Sequence, residues 1–112
     1  MRYDFHPEAR LEYREAAAFY EARRPRLGAA FTVEIEAAIQ KVLEAPDRWR
    51  FVEQDVRRCL AHTFPYGILY TIEDGFILII AVAHGSREPG YWRHRLQPST
   101  QDAPSKTGEQ AD

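Results

Sequence analysis

The sequence predicts an α+β fold in which a helical hairpin packs on an antiparallel sheet, with the element order β-α-α-β-β-β. Two consecutive segments in the first half of the chain carry apolar residues at helical spacing. The second half carries short apolar segments separated by turn signals, which is typical of strands. A helical hairpin that is apolar on one side needs a second layer to cover that side, and a sheet can supply it.

The first half of the chain is predicted to form one strand and two helices. Arg2 to His6 alternates aromatic and polar residues, as an edge strand does. His6-Pro7-Glu8 is typical of a helix start, because proline fits the first turn, and Pro25 ends this helix. The second helix begins near Leu27, and Pro46 closes it before a loop that extends to Gln54.

The second half is predicted to form the sheet. Val56 to Ala61 and Tyr66 to Ile72 read as strands, and Glu73-Asp74-Gly75 supplies a tight hairpin turn. Phe76 to Ala83 is apolar at every position, which indicates a central strand covered on both faces. Pro89 to Leu96 is expected to add one or two helical turns.

Length and composition indicate one folded domain over residues 1–96 and a disordered tail over residues 97–112, where alanine is the only apolar residue type.

The single cysteine, Cys59, excludes an intrachain disulfide and fits a reducing compartment. The charged start Met1 to Arg10 gives no reason to expect a signal peptide. The run from Phe76 to Ala83 is far shorter than the roughly 20 residues of a membrane helix, so a cytoplasmic protein without a membrane partner is expected.

The charge balance does not indicate a generally basic protein. The chain holds 15 basic and 17 acidic residues. Because residues 97–112 contain one of the former and three of the latter, 14 of each remain in residues 1–96. Proteins that bind phosphate backbones usually show a clear basic excess, so only a local basic patch is expected here.

Five phrases of the sequence occur in an order that resembles one protein family. They are Tyr13 with Ala16 to Tyr20, Leu27 to Phe31, Pro46 with Trp49, Val56 to Arg58 with Phe64 to Tyr70, and Ile79 to His84 followed by Arg87, Pro89, Tyr91, Trp92 and Arg95. Together they resemble the RelE/ParE superfamily of bacterial toxins over roughly residues 1–96. The resemblance implies the predicted fold and the toxin role of a type II toxin–antitoxin system.

The resemblance implies a cognate antitoxin as partner and leaves the mechanism open, since one scaffold carries different activities. RelE-like members cut mRNA in the ribosomal A site. ParE-like members poison DNA gyrase and need no hydrolytic residues. A third possibility is an inactive relic that retains only antitoxin binding. The target is therefore the ribosome with its mRNA, or DNA gyrase.

Candidate catalytic residues cluster at the end of the predicted central strand. RNA cleavage without a metal needs a proton acceptor, a cation for the phosphate and a proton donor. His84 titrates near neutral pH in its unperturbed form and suits proton transfer. Arg87 and Arg58 are candidates for phosphate binding, and Tyr91 for base stacking or proton donation.

Each candidate also has a structural interpretation. His84 can end its strand in a hydrogen bond to a loop, and Tyr91 can pack the C-terminal turn against the sheet. Arg57 and Arg58 point to opposite faces of a strand, so one is expected to pair with a helix acid and the other to face solvent.

One further observation counts against RNA cleavage, and a second counts against metal catalysis. Ribonucleases of the family often carry an arginine early in the third strand, where this sequence has Gly67. The four histidines show no metal-ligand spacing and no carboxylate cluster accompanies them, so neither a metal nor another cofactor is expected.

Overall fold

The computed structural model describes residues 1–96, and the predicted disordered tail lies outside the described residues. The elements are β1 (Arg2–Phe5), α1 (Pro7–Arg23), α2 (Leu27–Glu44), a 3₁₀ turn (Pro46–Arg48), β2 (Phe51–Glu53), β3 (Val56–Leu60), β4 (Tyr66–Glu73), β5 (Phe76–His84) and a second 3₁₀ turn (Arg93–Leu96). The predicted fold class is confirmed: two helices pack on a mostly antiparallel sheet. Strand β2 is an addition, since its segment was predicted to be a loop.

The sheet has the strand order β1-β5-β4-β3-β2. β5 therefore lies inside the sheet, as its apolar sequence predicted. The sheet is antiparallel except at one edge, where β1 pairs with β5 in parallel. Tight turns force the strands they join to be antiparallel, whereas both helices and three strands separate β1 from β5 along the chain, so no turn fixes the direction of β1.

Apolar side chains cover both faces of the sheet. On the helix side, Phe31, Ile35 and Ile39 of α2 pack against Ile68 and Ile79 of the central strands. On the opposite face, a smaller group is covered by the segment that follows β5. It comprises Val56, Leu69, Ile80, Ala81 and Trp92. That segment is thereby held on the sheet, which places its polar residues beside the ends of β4 and β5.

The two helices meet closely at Gly28. A Cβ at this position would lie 2.6 Å from the carbonyl oxygen of Ala17, so only glycine fits without a shift. The Glu21 carboxylate accepts hydrogen bonds from the backbone N–H groups of Arg26 and Gly28, each at 3.0 Å, and so caps the start of α2. No helix within residues 1–96 is both long enough and apolar enough to cross a membrane.

Candidate functional site

A pocket of about 480 Å³ opens where β5 ends and β4 begins. Its walls come from the loop over residues 61–65, from β3 and β4, and from the segment that follows β5. All four sequence-predicted candidates line it: Arg58, His84, Arg87 and Tyr91. The fold therefore brings together residues that are up to 33 positions apart in the chain.

His84 is oriented by the residues that follow it. Its Nδ1 accepts a hydrogen bond from the backbone N–H of Ser86 at 3.0 Å, and the Ser86 Oγ lies 2.8 Å from the same nitrogen. Because a backbone N–H can only donate, Nδ1 carries no proton in the neutral ring, and the proton sits on Nε2. The ring also meets Tyr66 edge to face at 5.2 Å. Both contacts fix the direction of the imidazole.

Arg58 is the exposed arginine of β3. Among residues 1–96, no carboxylate oxygen lies within 4.0 Å of its guanidinium nitrogens. Its side chain crosses Gly67 of the neighbouring strand, where an added Cβ would lie 3.1 Å from the Arg58 Cδ. Gly67 thus leaves room for the Arg58 side chain.

Within residues 1–96, neither Arg57 nor Arg58 makes the ion pair with a helix acid that was predicted for one of them. Arg57 lies on the opposite side of β3 from Arg58. It donates instead to the carbonyl oxygens of Trp49 at 2.8 Å and Asp47 at 3.1 Å, and its guanidinium lies 3.9 Å from the centre of the Phe51 ring. The loop before β2 folds back over this face of the strand and brings its carbonyl groups closer than any helix carboxylate. Arg57 therefore holds that loop in place.

The Arg87 guanidinium lies over the Tyr91 ring. Its carbon is 3.7 Å from the ring centre, and one of its nitrogens is 3.9 Å from a Glu12 carboxylate oxygen. Half of the Arg87 side chain remains exposed (52%). The Tyr91 hydroxyl donates to Glu12 at 2.6 Å, and burial together with this hydrogen bond raises the pKa of Tyr91. Tyr91 therefore keeps its proton and supports the guanidinium of Arg87.

Sequence reasoning missed Glu12, the residue on which the C-terminal segment depends. Its carboxylate accepts from the Val82 backbone N–H at 3.1 Å, from Tyr91, and from two nitrogens of Arg95 at 2.9 Å each. The Arg95 side chain is only 6% exposed. We call Glu12, Val82, Tyr91 and Arg95 the Glu12 network. A signal existed in the sequence, because Glu12 lies on the same helix face as Ala9, within the apolar stripe.

The loop over residues 61–65 is held by Glu34 of α2. The Glu34 carboxylate accepts from the backbone N–H groups of Phe64 at 2.9 Å and Thr63 at 2.5 Å. Burial would raise the pKa of Glu34, but these hydrogen bonds outweigh burial and lower it. His62 of this loop also lines the pocket, a second histidine that sequence reasoning did not place there. Within residues 1–96, no three His, Cys, Asp or Glu side chains are grouped to hold a metal ion.

Comparison with known families identifies the chain. A family model described as the ParE toxin of type II toxin–antitoxin systems, parDE, matches residues 3–89. No curated protein matches the sequence. The match spans both helices, all of the sheet except Arg2, and Arg58, His84 and Arg87 of the pocket. The chain therefore belongs to the ParE toxin family, within the RelE/ParE superfamily of type II toxins.

Proposed function

We propose that this toxin is an endoribonuclease that cuts mRNA on the ribosome, with its own side chains supplying the chemistry. The observation that carries the proposal is that Arg58, His84 and Arg87 line one and the same pocket. Its volume falls within the range of about 300–1,000 Å³ that is typical of small-ligand sites, which suits a nucleotide and its phosphate. Membership of the family implies a cognate antitoxin as partner. Action on ribosomes places the toxin in the cytoplasm.

The reaction needs two proton transfers. The 2′-oxygen of the RNA forms a bond to the adjacent phosphorus, the bond from phosphorus to the 5′-oxygen breaks, and a 2′,3′-cyclic phosphate and a 5′-hydroxyl result. His62 takes the 2′-hydroxyl proton. His84, in its protonated form, gives a proton from Nε2 to the departing 5′-oxygen. Protonation of Nδ1 breaks its hydrogen bond from the Ser86 backbone N–H, and Nδ1 then donates to the Ser86 Oγ instead.

Two guanidinium groups stabilise the charge that builds on the phosphate. Arg58 is exposed and has no carboxylate partner among the described residues, so it is available to the phosphate. Arg87 is held in place by the Tyr91 ring. A guanidinium can bind two phosphate oxygens through parallel hydrogen bonds. Tyr91 is a positioning residue in this scheme, because its hydroxyl is already bound to Glu12.

Substitutions in the pocket test the proposal. His84→Ala and Arg87→Ala should each lower mRNA cleavage by about 100-fold or more, the usual size of such losses. His94→Ala and Arg48→Ala are matched controls, because both side chains are exposed and do not line the pocket. Tyr91→Phe should cleave mRNA at the parent rate, because it keeps the ring that supports Arg87. Mapping of mRNA 5′ ends after brief expression measures cleavage, and full toxicity of both pocket variants would refute the ribonuclease.

One observation favours a second candidate, inhibition of DNA gyrase: the matching family model is that of ParE toxins. The resemblance implies that this activity needs no hydrolytic residue. A pulse of labelled amino acid, given within minutes of induction, separates the two. An early collapse of incorporation supports mRNA cleavage. Normal incorporation with growth arrest and filamentous cells supports gyrase inhibition, and the absence of any arrest identifies an inactive relic.

A further inference from the structure

We infer that the turn between α1 and α2 is a second contact for the same RNA, which binds its phosphate backbone outside the pocket. The inference rests on the proposed ribonuclease function. The turn carries three arginines, Arg23, Arg24 and Arg26, which we call the hairpin tip. All three are exposed.

The positive charge of the hairpin tip is not neutralised by local ion pairs. Within residues 1–96, no carboxylate oxygen lies within 4.0 Å of any of the three guanidinium groups. The nearest acid in sequence, Glu21, directs both its oxygens to the backbone N–H groups of Arg26 and Gly28. This carboxylate caps α2 and leaves the three side chains free to bind another anion.

An exposed aromatic ring accompanies these charges. Phe19 of α1 is 53% exposed, and the Arg23 guanidinium carbon lies 5.0 Å from its ring centre. Single-stranded nucleic acids are commonly bound by positive side chains that follow the backbone and by aromatic rings on which bases stack. The hairpin tip with Phe19 beside it therefore carries both the charges and the aromatic ring that such binding uses.

The hairpin tip and the pocket lie at the same end of the molecule. Tyr20, in the last turn of α1, contacts Phe64 at 4.8 Å between ring centres. Phe64 belongs to the pocket wall, and the next ring along, that of Tyr66, contacts His84 at 5.2 Å. The loop over residues 61–65 lies between the tip, which belongs to the helix layer, and the pocket, whose lining includes Leu69 and Trp92 of the opposite face of the sheet. An RNA strand that passes around this loop would lead from the pocket toward the tip.

This arrangement also accounts for a ribonuclease domain without net charge. Three acids near this end are engaged inside the molecule: Glu12 by Arg95, Glu21 by the start of α2, and Glu34 by the loop over residues 61–65. Glu88, which lines the pocket, has no ion pair among the described residues. The arginines of the hairpin tip have no such partners among the described residues. The basic surface is local, and the total charge conceals it.

Binding to an uncleavable RNA tests the inference. The probe is a labelled 2′-O-methyl oligoribonucleotide of roughly 15 nucleotides, which lacks the 2′-hydroxyl needed for cleavage, measured against the full chain at several salt concentrations. The variant R23Q/R24Q/R26Q should weaken binding and reduce the slope of log affinity against log salt by about 2, since each single-strand phosphate contact contributes about 0.7. The matched control, K41Q/R48Q/R50Q, removes three exposed charges near the far end of α2 and should leave the slope unchanged.

A parallel measurement with purified ribosomes distinguishes the source of the phosphates. Weaker binding of the tip variant to the oligonucleotide supports the inference. Weaker binding to ribosomes alone would assign the tip to ribosomal RNA and overturn it. Equal behaviour of the tip and control variants on both probes would overturn the inference, as would a loss confined to antitoxin binding. These binding measurements do not depend on cleavage. If the cleavage assay shows no cut mRNA but the tip variant still binds RNA more weakly, the proposed function is refuted and the tip contact stands.

Discussion

The arginine of the Glu12 network is buried and paired, whereas the arginines of the hairpin tip are exposed and unpaired among the described residues. Arg95 is buried, and its guanidinium donates to Glu12 and to the Ile80 carbonyl oxygen at 3.0 Å. Arg23 and Arg24 are exposed and have no carboxylate partner within residues 1–96. The first kind of arginine holds the fold together, and the second kind is available to a ligand. Sequence composition counts both equally, whereas burial and pairing tell them apart.

The largest effect is expected where the arginine is buried. Glu12→Ala removes the acceptor of Arg95 and Tyr91 and leaves Glu8, at 3.3 Å, as the one carboxylate within residues 1–96 beside an Arg95 side chain that is only 6% exposed. Loss of one partner of a buried ion pair costs about 3–5 kcal/mol. Because Glu8 remains, we expect the free energy of unfolding, measured with urea, to fall by about 3 kcal/mol.

The control for this variant is Glu15→Ala, which removes an exposed acid one turn further along α1. Surface substitutions of this kind usually change stability by less than about 0.5 kcal/mol. If Glu12→Ala and Glu15→Ala unfold at the same urea concentration, the Glu12 network does not hold the C-terminal segment, and the contrast with the hairpin tip disappears.

The sequence predicted those parts of the molecule that follow from periodicity. The stripe of α2 and the apolar run of β5 identified a helix and a central strand, because a regular element repeats its buried side at a fixed interval. Strand β2 was missed because it has only three residues, its pairing with β3 is irregular, and Phe51 is exposed. The Glu12 network joins residues 83 positions apart, and no local pattern records such a contact.

Part of the candidate site was also predictable from a regular element, because two of its residues follow directly from where β5 ends. His84 and Arg87 lie next to each other where β5 ends, so the end of one strand located both. His62 and the hairpin tip lie in connections whose positions depend on how the hairpin packs against the pocket loop, through contacts such as Tyr20 with Phe64. Their proximity to the pocket is a property of tertiary packing.

A smaller effect is expected at Glu34, which holds the pocket loop through hydrogen bonds and carries no buried arginine. Its pKa in the folded protein lies below the unfolded value of about 4.3, so its contribution to stability is present above that pH and is lost as the pH falls through the folded pKa. Glu34→Gln should therefore lower the melting temperature at pH 6. The difference from the parent should shrink toward pH 3, and a difference that is the same at both pH values would contradict this account of the loop.

The smallest change in stability is expected for Gly67→Ala. This variant should nevertheless lower activity, so it tests the role of Arg58 separately from folding. Gly67→Ala places a Cβ 3.1 Å from the flexible stem of Arg58, which can give way, so we expect less than about 1 kcal/mol of destabilisation but a lower rate of mRNA cleavage. Gly75→Ala is the matched comparison. Gly75 has φ +87° with open space around it, so alanine there should cost about 1–2 kcal/mol of backbone strain and leave cleavage unchanged. If Gly67→Ala cleaves mRNA at the parent rate, the position of Arg58 does not matter to the reaction, and its unpaired charge needs another explanation.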